Sequence, residues 1–288
     1  MSLSAHLLSL STPHPYTAAT EHPFLTAAGH LTLPGERLAL WLSQDRIYAA
    51  EAYPRFTALL IAKIPFGSSD AGGESRNRRT LKCLVGALQN IVREVNFFED
   101  TARQWSLDIG AILENGEFEH TWLERKGTRD YTAEMVRIAS LGSLGEGLVF
   151  LWAMERVYLD AWRYVKSKFP QSLNAARADE DKTAGAIRAL TDSWTNEGFV
   201  AFVDELADLV DEYGADKKKA EDIWARVIEL EVDFWPEFTI PSDKKQISFK
   251  LKFQVANHLP VRDRLGRTQG ATGADEKPSS SPCAAFFL

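Results

Sequence analysis

Apolar residues recur every three to four positions over most of the chain between Tyr16 and Trp235, the spacing of amphipathic helices. The pattern predicts a first helix over Tyr16–Ala28, bent near Pro23 and ended by Gly29. A long second helix starts near Pro34 and runs to Ile64, with a kink at Pro54, where the ring removes a backbone donor. GSSDAGGES (67–75) has the composition of a flexible connection, and a third helix follows over Arg78–Trp105. The polar stretch Leu107–Arg129 is expected to be a loop with a short turn. Further helices are expected over Tyr131–Ser140, Leu144–Ser167, Asn196–Tyr213 and Lys217–Phe238. No internal repeat is visible. Beyond Ser242 the pattern changes: QISFKLKFQV (246–255) alternates with period two and predicts a strand. The sequence after Pro260 is rich in Gly, Ser, Pro and charge and reads as disordered. These shifts give three segments: a flexible 1–15, an all-α domain over 16–240, and a basic, disordered tail over 241–288.

Three of the predicted helices place a carboxylate inside their apolar stripe. Asp45 falls among Leu38, Trp41, Leu42, Tyr48 and Ala49; Glu155 among Leu148, Leu151, Tyr158 and Trp162; and Glu231 among Trp224, Val227, Ile228, Phe234 and Trp235. An unpaired buried carboxylate is costly, so each must be hydrogen-bonded, paired or neutralised. One such acid is equally well explained as a structural partner of Arg, Lys or Tyr. Three on three helices point to a polar pocket inside a helical bundle, and two that converge would give the split pKa values of acid/base chemistry. A di-metal centre is a rival reading, but no Glu-x-x-His pair falls on the predicted helices. Aromatic residues suited to a flat ligand lie near the acids: Trp41, Tyr48, Tyr131, Trp152, Tyr158, Trp194 and Trp235. Tyr48 and Tyr158 each follow an inward acid by one helical turn and carry a hydroxyl.

The chain has 288 residues, with 40 acidic against 33 basic side chains and a formal charge of -7, so nucleic acid is not expected as a partner. Seven basic residues do gather between Lys244 and Arg267, against the single acid Asp263. Its two cysteines, Cys83 and Cys283, offer neither a disulfide framework nor metal spacing, and cytoplasmic residence is expected. Cys83 reads as a small buried hydrophobe and His22 as a local hydrogen-bonding residue. The six histidines form no pair at metal-ligand spacing. No apolar run is long enough to span a bilayer, and GSLGEG (142–147) lacks the preceding strand of a dinucleotide fingerprint.

Six stretches in order resemble the TenA, or thiaminase-II, family: YTAATEHPF (16–24), LALWLSQDRIY (38–48), DYTAEM (130–135), LGSLGEGLVFLWAMERVYLDAW (141–162), WTNEGFVAFVDEL (194–206) and ELEVDFW (229–235). The resemblance implies an all-α, haem-oxygenase-like multi-helix bundle with a central pocket. It also implies homo-oligomers, dimer or tetramer, and salvage of the pyrimidine half of degraded thiamin. The reaction implied is hydrolysis of 4-amino-5-aminomethyl-2-methylpyrimidine, or removal of the formyl group from its N-formyl derivative, without metal or organic cofactor. Where one branch of the family has a catalytic cysteine, this chain reads LWAMERVY, with Met154 at or beside that position, and so resembles the branch that uses glutamate. Carried over residue by residue, the family's site falls on Asp45, Tyr48, Tyr131, Glu155 and Glu231, with Trp194 and Glu94 from looser motifs, and Tyr158 joins them by its spacing from Glu155. By chemistry, Asp45, Tyr48, Tyr131, Tyr158, Trp194 and Glu94 are expected to bind substrate and Glu155 and Glu231 to catalyse. On this reading Asp45 holds the ring's exocyclic amine, Glu155 activates water and Glu231 protonates the departing nitrogen. Two other readings stay open: a non-catalytic ligand-binding relative, and a haem protein on the same fold using His22, Gly142, Gly145 and Gly147.

Overall fold

The computed structural model describes residues 1–65, 75–107, 109, 124–170 and 181–238. The connection before Ser75, most of the 107–129 stretch, the strand expected in 246–255 and the basic tail lie outside the described residues, as do Cys283, His120 and His258.

Every regular element among the described residues is helical. In chain order these are α1 (Leu3–Leu8), α2 (Tyr16–Thr20), α3 (Pro23–Gly29), α4 (Gly35–Ile47), a π-helical turn (Tyr48–Ala52), α5 (Tyr53–Ala62), α6 (Arg76–Gln104), α7 (Lys126–Leu141), α8 (Leu144–Ser167), α9 (Lys182–Thr195), α10 (Glu197–Tyr213) and α11 (Lys217–Phe234). Helix α8 is the axis of the bundle and packs against α2, α3, α5, α7, α9, α10 and α11. Its sequence allows this, because Leu148 through Met154 are all buried and the helix is apolar on every side over two turns. It begins with a capping box in which Ser143 and Glu146 satisfy each other's backbone donors. Gly147 faces Leu60 so closely that an added Cβ would lie 2.2 Å from a leucine methyl carbon, which lets α5 approach the axis.

Three departures from the sequence expectation have physical causes. Segment 1–15, expected to be flexible, carries α1, which is anchored at several points. Ser2 caps it, the Ser4 backbone and hydroxyl both donate to Asp211 at 2.8 Å, His6 meets Glu221 at 2.8 Å, and Leu7 is fully buried. Helix α9, absent from the expectation, is capped by Asp181 and buries Ala184, Ile187, Leu190 and Trp194 on one face. The break in the second long helix is a π turn ahead of Pro54 rather than a simple kink: the Tyr53 N–H bonds the Tyr48 carbonyl five residues back. The expected bend at Pro23 is there, as a new helix start that His22 Nδ1 caps by accepting from the Phe24 N–H at 3.2 Å.

Candidate active site

The π turn positions two tyrosines. On an α-helix of 3.6 residues per turn, residues five apart end about 140° round the axis from each other. The wider turn removes most of that angle, and the rings of Tyr48 and Tyr53 meet edge-on at 6.2 Å. Both line a small inner chamber with Asp45 of α4, Glu94 of α6, Glu155 of α8 and Trp194 of α9.

Each acid takes one aromatic hydrogen bond. The Tyr158 hydroxyl donates to Asp45 Oδ1 at 2.8 Å, Trp194 Nε1–H to Glu94 Oε1 at 2.7 Å, the Tyr53 hydroxyl to Glu155 Oε1 at 2.6 Å, and the Tyr131 hydroxyl to Glu231 Oε1 at 2.6 Å. Among the described residues, none of the four forms an ion pair with a cation. Taking an unpaired carboxylate out of water costs several kcal/mol, roughly, so burial favours the protonated form of each. Burial pushes Glu94 up to about 7 and Glu155 up to about 8, and the charge of Glu94 raises Glu155 further. Burial also carries Glu231 up to about 8 and raises Asp45, the latter helped by Glu94. Burial raises the phenols of Tyr48, Tyr53, Tyr131 and Tyr158 too, which keeps them as neutral donors.

The inner chamber has a volume of about 30 Å³, and an outer cleft of about 480 Å³ adjoins it. Tyr53, Ile91, Glu94, Glu155 and Trp194 belong to both walls and form the boundary between them. Of the residues anticipated from sequence, Asp45, Tyr48, Glu94, Glu155, Tyr158 and Trp194 meet at the chamber. Glu231 does not line it, contrary to the role given it as direct proton donor. It is fully buried behind Tyr131, whose ring packs edge-on against Tyr48 at 5.2 Å. Tyr131 likewise sits one layer back.

The tryptophans form the backing. Trp235 stacks on Tyr158 at 5.6 Å and Trp162 on Trp194 at 4.9 Å, with Trp41 packed between. Trp152 instead stacks on Trp224 at 5.3 Å. Tyr53 was not singled out from the sequence, because its place on the wall depends on the π turn. Glu94, anticipated from the family resemblance, also has a signal in the periodicity: it lies three residues after Ile91 and four before Phe98, both buried on α6.

Cys83 is half-buried rather than buried, and burial pushes its thiol up to about 12, far from a thiolate. The features suggested for haem have local structural uses. His22 Nδ1 caps α3, Gly147 admits Leu60, and an added Cβ on Gly142 would meet the Ile138 carbonyl oxygen at 2.7 Å. Among the described residues, no group of three or more His, Cys, Asp or Glu side chains is arranged to hold a metal ion, and no helix is long and apolar enough to cross a membrane.

The model of the TENA/THI-4/PQQC family matches residues 14–239, which span every element of the site. The chain belongs to this family. Solved TenA structures share its haem-oxygenase-like fold. A TenA homologue from Pyrococcus furiosus has a TM-score of 0.61 at 21% identity, covering 81% of this chain and 98% of that one. A TenA homologue from Pseudomonas syringae reaches 0.61 at 10% identity, covering 81% of this chain and 90% of its own. Two named relatives are more distant in length. A Fusarium pseudograminearum protein described as a probable transcription factor is 27% identical over 75% of this chain, but the match spans only 46% of the relative. A Glycine max protein described as a probable bifunctional TENA-E protein is 21% identical over 68% of this chain and 75% of its own length.

Proposed function

We propose that this TenA-family protein hydrolyses aminopyrimidines released from thiamin, either 4-amino-5-aminomethyl-2-methylpyrimidine or its N-formyl derivative, using carboxylates in place of a cysteine. The observation that carries the reading is the pair Glu94 and Glu155, two coupled acids without a cation on the wall shared by chamber and cleft. With raised values on both, the pair holds one proton between its two titration steps. The lower value belongs to Glu94, whose ionised form the Trp194 N–H supports, so Glu94 draws a proton from water. Glu155 then gives its proton to the departing nitrogen. This exchanges the role first expected for Glu155 and replaces Glu231, which acts instead by fixing Tyr131.

Asp45 fits the task of holding the ring. Its Oδ1 is taken by Tyr158, while Oδ2 is buried with no partner among the described residues, a polar atom left open for the hydrogen-bonding edge of the ring; with burial favouring the protonated form, its O–H donates to a ring nitrogen. The chamber at about 30 Å³ holds a water rather than a ring, so ring binding requires it to open. The contact best suited to yield is Tyr48 hydroxyl to Met154 Sδ, 3.2 Å, since a thioether is a weak acceptor and methionine is flexible. The family match and a soybean relative described as a probable bifunctional TENA-E protein support the reading. The same reading includes assembly of identical copies in the cytoplasm, which light scattering of the purified protein and localisation of the full chain test. The activity itself is tested by incubating the protein with the two pyrimidines and measuring release of ammonia or formate; no release from either contradicts the proposal.

A further inference from the structure

The outer cleft is far larger than the chemistry of an amine or formyl leaving group requires. At about 480 Å³ it is within the range of small-molecule sites, and it opens directly onto the acid pair. Beyond that boundary its wall has two kinds of surface. Phe97 of α6 and Phe199 and Phe202 of α10 supply apolar area, while Asn90, Arg93 and Ser193 supply polar groups. Arg93 is exposed and is the only cation among the described lining residues, and its guanidinium donates to the neutral side chain of Asn90. Asn196 and Gly198, at the start of α10, also line the cleft, and Asn196 caps that helix by accepting from the Phe199 N–H. The carboxylates and the cation are therefore segregated, with Glu94 and Glu155 at the inner boundary and Arg93 outside it.

We propose that the outer cleft is a subsite for an extended acyl group ending in a carboxylate, so that the preferred substrates are N-acyl aminomethylpyrimidines made from dicarboxylic acids. The inference rests on the hydrolase reading above and names the substrate class of that site. The acyl chain lies along the phenylalanines, its terminal carboxylate meets Arg93, and its carbonyl carbon stands at the acid pair. In the reaction, water oxygen bonds to the acyl carbon and the C–N bond breaks. One water proton passes to Glu94, and Glu155 supplies a proton to the nitrogen. Each turnover consumes one water and yields the free amine and a dicarboxylate.

Three synthetic amides of the aminomethylpyrimidine test this: N-formyl, N-butyryl and N-succinyl, the last two matched in length and differing in the terminal charge. Binding by calorimetry and kcat/KM are measured for each with the whole protein and with Arg93→Gln. The succinyl compound is expected to exceed the butyryl compound by about tenfold or more in affinity and in kcat/KM, the scale of a charge-assisted hydrogen bond. Arg93→Gln is expected to close that gap. A succinyl compound no better than butyryl, or a gap that survives Arg93→Gln, overturns the subsite. If none of the three is hydrolysed, amide hydrolysis falls, the hydrolase reading rests on ammonia release from the aminomethylpyrimidine, and the binding comparison still decides the cleft: a charge-dependent gap removed by Arg93→Gln supports it, and its absence rejects it.

Discussion

Tyr53 donates a 2.6 Å hydrogen bond to Glu155, and the backbone feature that aims it there is the π turn at Tyr48–Ala52. That bond lowers the Glu155 pKa against the upward push of burial. Tyr53→Phe removes the donor and keeps the ring. The expected result is a fall in kcat of about tenfold, the scale of one lost hydrogen bond to a charged group, with the alkaline limb of the pH–rate profile moved upward. An unchanged profile would separate Tyr53 from the reaction.

The acid pair predicts a bell-shaped profile. With Glu94 at about 7 and Glu155 at about 8, the singly protonated pair is most populated between those values, and activity declines on both sides. Glu94→Gln is expected to abolish the acid limb and Glu155→Gln the alkaline limb in whatever residual activity remains. The reverse assignment of limbs would exchange the two roles.

The same buried acids make stability depend on pH. Glu155 and Glu231 move from an ordinary 4.5 to about 8 in the fold, so the native state binds more protons than the unfolded chain across that interval. Stability is therefore full below pH 4.5 as far as these groups are concerned and falls as pH rises toward 8. Thermal unfolding followed from pH 6 to pH 9 should show a declining midpoint. Glu231→Gln, which cannot ionise, is expected to flatten that decline and to match or exceed the wild-type midpoint at the alkaline end. A midpoint that rises with pH contradicts the assignment of neutral buried acids.

Cys83→Ser should leave turnover within about twofold, since a half-buried thiol pushed up to about 12 is no nucleophile at neutral pH. Inactivation by a thiol reagent that maps to Cys83 and is blocked by substrate would show otherwise.

How much of this was legible in the sequence differs by residue. Asp45 and Glu155 were readable because a carboxylate interrupts an apolar stripe, and period 3.6 alone places them inward. Glu231 was readable as buried, but periodicity gives a face and not a depth, so its position behind Tyr131 was not. Tyr53 was hidden because a π turn changes the register at a point where the sequence announces only Pro54. Helix α9 carries ordinary helical spacing in Ala184, Ile187, Leu190 and Trp194 and was within reach of the same pattern. Helix α1 is held mainly by contacts to Asp211 and Glu221, more than 200 positions away, which no local pattern records.

The central claim is that Glu94 and Glu155 together hydrolyse an aminopyrimidine without a thiol. The direct measurement is kcat and KM for the aminomethyl and N-formylaminomethyl pyrimidines, run side by side for wild type, Glu94→Gln and Glu155→Gln. Turnover by the wild-type protein of at least one substrate is expected. Each variant should lose about 10²–10⁴-fold in kcat while KM changes little, because the amide keeps the shape and cannot carry the proton. Wild-type kcat in both variants, or tight binding of the pyrimidines with no turnover by the wild-type protein, would contradict it.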